Sequence, residues 1–457
     1  MMETYRQTRV LIIGAGLTGL TLAYYLKKKD IDFIILEKEE RPGGVIRTFQ
    51  EKGFVYEAGP NTGVLSNFES VELFRDLEGK CRLEIANPEA KRRLIWKKDS
   101  WHALPAGLSQ AVKTPLFTFS DKLRLLGEPF RSRGKQPLES VAGLVKRRMG
   151  KSFLDYAVDP FISGIYAGDP DYLITRYALP KLYNLEQTYG SFIRGALRKK
   201  LVEKIPQPPK EVFSVEGGLE NLIKALETRV GKQNIFYGAG QTRAGVAPGG
   251  YKVQTIASGQ QIEIDAQTLV STVGAYHLTE LFPFIPPRDI NILGQLKYAG
   301  IVQMVLGFDN WTGCNLNAFG GLVPSREKRK ILGVLFTSSF LSRRAPNGGA
   351  LLNVFLGGMR NPDYFGLSDQ EIIRIVKEEL LEMMELQEFN PALVEVFRYK
   401  HAIPQYGKDS QERIDTILKL QQSYPGLILA GNIHEGIGMA DRIAQGMRIA
   451  QGFVDYP

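Results

Sequence analysis

The sequence predicts an α/β chain with a Rossmann-like dinucleotide-binding domain, a second domain on an antiparallel sheet, and a helical insertion. Three observations predict it. Residues 10–48 read as strand, glycine turn, helix, strand and acid. Residues 104–204 carry mainly helical signals. Residues 301–356 carry successive strand patterns.

The nucleotide unit comes first in the chain. Val10–Ile13 is a short apolar run of buried-strand length. Gly14-Ala15-Gly16-Leu17-Thr18-Gly19 follows as a G-x-G-x-x-G turn, with Leu17, Leu20, Ala23 and Tyr24 on one helical face. Ile31–Leu36 is a second buried strand that ends at Glu37. Gly14 permits the tight turn, Gly16 lets backbone N–H groups approach a pyrophosphate, and Gly19 lets helix and strand pack closely. The helix N-terminus stabilises phosphate charge. The Glu37 carboxylate can accept from ribose hydroxyls, and Leu17, Thr18 and Lys38 complete the candidate nucleotide set. A signal peptide or membrane span over residues 10–26 is excluded, because three glycines interrupt it and it falls short of the roughly 20 residues a span needs.

The totals fit a soluble globular chain of two or three domains: 457 residues, 44% hydrophobic and 23% charged. Cys81 and Cys314 make no disulfide framework, so a reducing, cytoplasmic compartment is expected. The net charge is +9. Residues 91–151 hold 15 Lys and Arg against four Asp and Glu, a local +11, so the rest of the chain is about −2. The acidic partner is expected at that segment.

The remaining elements follow in order. Ser66–Gly79 reads as a helix opened by a Ser66/Glu69 capping box. Residues 86–101 read as two short strands about a turn at Lys97–Asp99, and Pro137–Met149 as a helix with Pro in its first turn. Gly217-Gly218 opens a helix to about Val230. Strands are expected at Ile235–Tyr237, Tyr251–Ile256, Gln261–Ile264, Thr268–Thr272, Ile301–Phe308, Ile331–Thr337 and Leu351–Leu356. Ser368–Leu386 is an amphipathic helix with a Ser368/Glu371 capping box. Leu427–Ala430 is a buried strand, followed by a glycine-rich turn and a helix from about Ala440. The four histidines have no Cys or carboxylate at metal spacing, and no nucleophile elbow or Walker loop is present, so no metal site is expected.

Further motifs carry a resemblance. Arg41-Pro42-Gly43-Gly44, continuing to Thr48, resembles the R-x-G-G-x-x-x-T extension of the FAD-dependent amine oxidase superfamily, and Glu57-Ala58-Gly59-Pro60-Asn61 its E-x-G-P motif. The implied cofactor is FAD, with Thr62 next to that motif. Asp159–Pro170, DPFISGIYAGDP, resembles the P-F-x-S-G-V-Y-A-G-D-P signature of the protoporphyrinogen oxidases. Lys181–Gly195, Val215–Leu219 and His401–Tyr406 are similar to later segments of that family. Gly431-Asn432, with Gly436-Ile437-Gly438-Met439, is similar to its C-terminal flavin motif. The resemblance covers nearly the whole chain in order.

It implies an amine-oxidase-type flavoprotein. The FAD domain would be assembled from 1–85, 205–275 and 418–457, the substrate domain from 86–97 and 276–417, and the insertion from 98–204. It implies oxidation of protoporphyrinogen IX to protoporphyrin IX with oxygen as acceptor, in haem biosynthesis. Gly164, Ala167 and Gly168 would lie against the macrocycle, and Arg92, four residues before Trp96, would pair a propionate, with Arg93 able to exchange roles with it. No catalytic acid or base is implied. Within the insertion, Trp101, Leu104, Leu108, Leu116, Phe117 and Phe119 among Lys113, Lys122, Arg124, Arg131 and Arg133 correspond to a segment that family members seat on a membrane. That would place the chain peripherally on the inner face of the cytoplasmic membrane. Packing on its own domain is the alternative. Nucleic acid is not an expected partner, and an oligomer stays open. The rival readings are coproporphyrinogen III as substrate, another amine-oxidase-type enzyme, and an inert nucleotide-fold binding protein.

Overall fold

The computed structural model describes residues 4–201 and 206–453. Two seven-stranded sheets organise it. In the first, Thr4–Ile13 lies parallel between Phe33–Leu36 and Gln260–Ser271, as a buried apolar strand followed by a crossover helix requires. The two strands expected at Gln261–Ile264 and Thr268–Thr272 are one. Its first half forms a hairpin with Gly250–Ala257, and its end pairs in parallel with Leu427–Leu429. Apolar and polar residues alternate through Asp265–Gln267, so nothing breaks the ladder. Leu17–Lys28 and Met439–Gln451 pack together over this sheet.

The second sheet runs in the order Leu393–Pro404, Tyr298–Phe308, Ala350–Gly357, Gly333–Phe336, Gly320–Leu322, Arg93–Lys97, Ser100–Ala103. All neighbours are antiparallel except Gly320–Leu322 against Arg93–Lys97. Asp369–Met383 starts at the expected Ser368/Glu371 capping box and buries Ile372, Val376 and Leu380 against it. A hairpin the sequence reading missed, Arg47–Glu51 with Phe54–Ala58, packs Phe54 and Tyr56 on Val305 and Leu351 of this sheet. That contact brings Glu57–Asn61 to the seam between the sheets.

Several expected boundaries shift. The helix expected from Ser66 spans Phe68–Asp76 and is capped by Asn67, whose side chain accepts from Ser70 N–H; a side-chain amide satisfies the open turn as well as a hydroxyl does. The helix expected from Pro137 begins at Val141 behind the Ser140 cap. Ser100–Ala103, counted with the insertion, is an edge strand of the second sheet. The insertion otherwise consists of helices between Leu108 and Leu201, locked by a buried ion network. Arg148 pairs with Glu128 and Glu186, and Arg147 with Glu139 and Glu186. The expected boundary at 204–205 lies outside the described residues. No helix among the described residues is long and apolar enough to cross a membrane.

Only some of the apolar residues expected on a cationic surface face solvent. Leu116 and Phe117 are buried, Leu104 is half-buried, and the Trp101 indole donates to Met383 O at 2.8 Å. These face inward because the strand and loop that carry them pack on the second sheet. Phe119 (75% exposed) does face solvent, with Leu126 (70%) and Phe130 (84%). The side chain of Leu108 lies outside those described.

Candidate active site

The glycine turn closes the carboxyl end of the first sheet. Gly14 N–H donates to Leu36 O at 2.8 Å, and its φ of +105° lies where side chains are strained. A Cβ at Gly19 would fall on the Gly14 carbonyl oxygen, whereas one at Gly16 would meet nothing within 4 Å. The helix starting at Leu17 has no side-chain cap. The N–H groups of its first turn, at Leu17, Thr18 and Gly19, are the unsatisfied donors of any helix start. Buried Thr18 Oγ1 has no protein partner. Glu37 is buried. One of its carboxylate oxygens accepts from Ala15 N–H at 2.7 Å and the other from Glu39 N–H at 2.9 Å. With Lys38 N–H as a further backbone donor, acceptor capacity still remains for a hydroxyl. Burial raises the Glu37 pKa, and the backbone donors oppose the rise. Lys38 is exposed beside it.

Arg41 is spent on its own loop. Its guanidinium donates to the carbonyls of Pro42, Gly44 and Ile46, fixing the turn through Gly43, whose N–H reaches Ala15 O. Gly44 is exposed and open above. Gly59 N–H donates to Gln303 Oε1 at 3.3 Å, which ties this motif to the second sheet. Pro60 and Thr62 are half-buried beside Asn61, whose buried Oδ1 has no protein partner.

The C-terminal motif faces the same seam. Asn432 and Ile433 form a turn, and the N–H groups of Glu435, Gly436 and Ile437 make no hydrogen bond to a protein acceptor among the described residues. Gly438 caps the helix that begins at Met439, and its N–H donates to Asp441 at 3.0 Å. Open space above Gly16, stranded Thr18 and Asn61 oxygens, and a row of free backbone donors suit a dinucleotide with several acceptors.

A cavity of about 940 Å³ starts at this C-terminal loop, where Gly436 and Ile437 line it. It runs between the insertion, the second sheet and the helix Ser410–Ser423, past Tyr406, Tyr166, Phe161, Leu322 and Ile95, and Arg93, Arg176, Lys181 and Arg413 supply cationic groups. Arg93 lies over the Phe319 ring at 5.8 Å, and Arg176 over that of Tyr177 at 5.6 Å.

None of the expected substrate residues lines this cavity. Arg92 does not line the cavity; its Nε and Nη2 both donate to Asn317 O, at 3.0 and 2.6 Å. Side chains alternate along the strand from Arg93, so the neighbour points into the cavity instead. Gly164, Ala167 and Gly168 do not line it either. A Cβ at Gly164 would strike Leu322, and one at Gly168 would sit 2.6 Å from Gln405 Oε1. Ala167 is buried in a left-handed turn at φ +47°, its carbonyl accepting from Met359 N–H at 2.7 Å. These residues let the signature segment pack on the protein, and Phe161 and Tyr166 from the same segment face the cavity. Aromatic residues adjoining the signature glycines were the available sequence signal.

The sequence profile of flavin containing amine oxidoreductases matches residues 17–452. A mitochondrial protoporphyrinogen oxidase of Nicotiana tabacum is 29% identical over 98% of this chain and 95% of its own. A coproporphyrinogen III oxidase of Bacillus subtilis is 26% identical over 98% of both chains. A solved structure from Exiguobacterium sp. 255-15, described as a candidate protoporphyrinogen oxidase, superposes with a TM-score of 0.82 at 23% identity, over 97% of this chain and 98% of that one. The chain therefore belongs to the flavin containing amine oxidoreductase family, with FAD as its cofactor and the oxidoreductase class as its activity.

Proposed function

We propose that the chain oxidises protoporphyrinogen IX to protoporphyrin IX, with molecular oxygen as acceptor, in haem biosynthesis. The cavity carries this reading. It is largely apolar and aromatic, has volume for a tetrapyrrole, bears cationic side chains, and runs into the C-terminal glycine loop. FAD, when bound, would supply the oxidation in three two-electron rounds, the six electrons and six hydrogens lost by the porphyrinogen going to three O2 as three H2O2. Leu17–Gly19, Glu37, Gly44 and Asn61 would hold its nucleotide end and linker, and the N–H groups of Glu435, Gly436 and Ile437 its flavin end. Phe161, Tyr166 and Leu322 would sandwich the macrocycle, and Arg93 would fix a propionate through a charge-assisted fork. No acid or base is assigned, since aromatisation drives the reaction.

The division into a discontinuous FAD domain (1–85, 205–275, 418–457), a substrate domain (86–97, 276–417) and an insertion (98–204) belongs to this proposal, with 100–103 moved to the substrate domain. Exposed Phe119, Leu126 and Phe130, with Arg124 exposed in the same segment, fit a peripheral contact with an anionic leaflet on the cytoplasmic side. Coproporphyrinogen III is the second reading. Four cationic side chains line the cavity, Arg93, Arg176, Lys181 and the Asp409-paired Arg413, more than the two carboxylates of protoporphyrinogen need and enough for a substrate with four.

The test is FAD-loaded protein supplied in air with either porphyrinogen, followed by porphyrin fluorescence and peroxide. Faster turnover of protoporphyrinogen is the expected result. Preference for coproporphyrinogen moves the assignment to the second reading, and oxidation of neither overturns both.

A further inference from the structure

The loop Gly431–Gly436 is held from behind by two side chains. Arg442, on the helix Met439–Gln451, donates through its guanidinium to the carbonyls of Gly431, His434, Glu435 and Gly436. The Tyr406 hydroxyl, from outside that helix, reaches Asn432 O at 3.2 Å and Gly436 O at 3.0 Å. Five of the loop's carbonyls thus bond to two side chains, while the N–H groups of Glu435, Gly436 and Ile437 have no protein acceptor among the described residues. Consecutive N–H groups aligned in this way form an anion-stabilising concavity. Tyr406 is also fastened to the turn after the signature segment, and its neighbour to the segment itself. Its own carbonyl accepts from Ile174 N–H at 3.0 Å, and the neighbouring Gln405 Nε2 donates to Tyr166 O at 2.8 Å. The rings of Tyr406 and Tyr166 both line the cavity. One residue therefore touches the substrate cavity with its ring and the cofactor loop with its hydroxyl.

We infer that Tyr406 and Arg442 are positioning residues for the bound flavin, and that Tyr406 transmits occupancy of the cavity to the flavin loop. This rests on the proposal that the loop faces the flavin and that the cavity takes the tetrapyrrole. A planar ligand pressing on the Tyr406 ring moves its hydroxyl against two carbonyls of the loop. The N–H groups aimed at the flavin move with them, so the reduction potential shifts through a changed hydrogen-bond field.

The experiment uses the FAD-loaded full chain, Tyr406→Phe and Arg442→Lys. Each is measured for FAD affinity, thermal midpoint and flavin midpoint potential, with and without protoporphyrin IX as a stable planar ligand. The wild-type potential should shift on adding porphyrin. Tyr406→Phe should melt within about 2 °C of wild type, bind FAD about fivefold more weakly, and lose the porphyrin-dependent shift. Arg442→Lys, which replaces a fork by a point charge, should keep the shift but weaken FAD at least as much. A wild-type potential that ignores porphyrin, or a Tyr406→Phe protein with wild-type affinity and shift, overturns the inference. A wild type that binds both molecules yet fails to oxidise porphyrinogen overturns the proposed reaction and leaves this inference standing.

Discussion

The N-terminal turn and the signature segment are both rich in glycine, yet they use it for opposite purposes. At Gly16 the space a side chain would fill is open, so the missing Cβ is an approach route for a ligand. At Gly164 and Gly168 that space is occupied by Leu322 and Gln405, so the missing Cβ is a packing contact within the protein. A glycine motif near a cofactor or substrate does not by itself say which side of the glycine matters. Gly19 shows that both uses share one turn, since its absent Cβ is taken by the Gly14 carbonyl.

The largest expected effect separates the two uses within the N-terminal turn. Gly19→Val drives a branched side chain into backbone that cannot retreat, because Gly14 N–H is held by Leu36 O and Gly14 O accepts from the Thr272 hydroxyl. Loss of the folded chain is expected, at more than about 3 kcal/mol. Gly16→Val should leave the thermal midpoint of the FAD-free chain within about 2 °C and weaken FAD on the order of a hundredfold. Thermal melts beside FAD titrations check both, and equal destabilisation by the two variants would break the comparison.

Glu57 extends the packed kind to a charged residue. It is buried, and its carboxylate accepts from the Thr48 hydroxyl at 2.7 Å and Leu219 N–H at 2.9 Å, beside Arg344 at 3.5 Å. Burial pushes its pKa up to about 7, against the pull of those partners. The folded chain therefore holds this proton more tightly than the unfolded chain does. The resulting stabilisation is full below the ordinary glutamate pKa and is lost as pH rises to about 7. Between about pH 4.5 and 7, urea unfolding should show a fall attributable to Glu57 of up to about 3 kcal/mol. Glu57→Gln should flatten that slope, and an unchanged slope would mean the carboxylate is ionised throughout.

Gly164→Val sharpens the contrast at the signature segment. The new methyls meet Leu322, a side chain that can turn, so the cost should be about 1–3 kcal/mol rather than loss of the fold. FAD affinity should stay at wild type while KM rises, because Leu322 lines the cavity. A fall in FAD affinity without a change in KM would place the segment against the cofactor instead.

The same contrast explains what could be read from the sequence. The first strand, turn and helix follow from local spacing, since a nucleotide turn is built within one βαβ unit. The Ser368/Glu371 capping box is equally local. The cavity is not local. It is assembled from residues near 93, 161, 322, 406 and 436, whose meeting depends on the pairing of Gly320–Leu322 with Arg93–Lys97 and on the docking of the insertion. Long-range partners leave no periodic trace, so Arg442 and Tyr406 passed as an ordinary helix residue and a motif end. The inward turn of Leu116 and Phe117 depends on the same long-range packing, so the sequence leaves it as one of two readings.

Neighbouring arginines give the smallest and most discriminating test. Arg92 and Arg93 differ by one position, and strand alternation sends them to different surroundings. The Arg92 fork is satisfied by the Asn317 carbonyl, while Arg93 enters the cavity over Phe319. Arg93 is solvent-exposed, so a pairing with a substrate carboxylate is worth less than a buried one. Arg93→Ala should raise KM about fourfold with kcat nearly unchanged, the pattern of binding energy shared by ground and transition states. Arg92→Ala should change KM less than about twofold. The Arg93 effect should shrink as salt is added, because an exposed pair is screened and a packing defect is not. If Arg92→Ala carries the larger KM effect, the register of this strand differs when substrate is bound, and the carboxylate is read from the edge of the cavity rather than from within it.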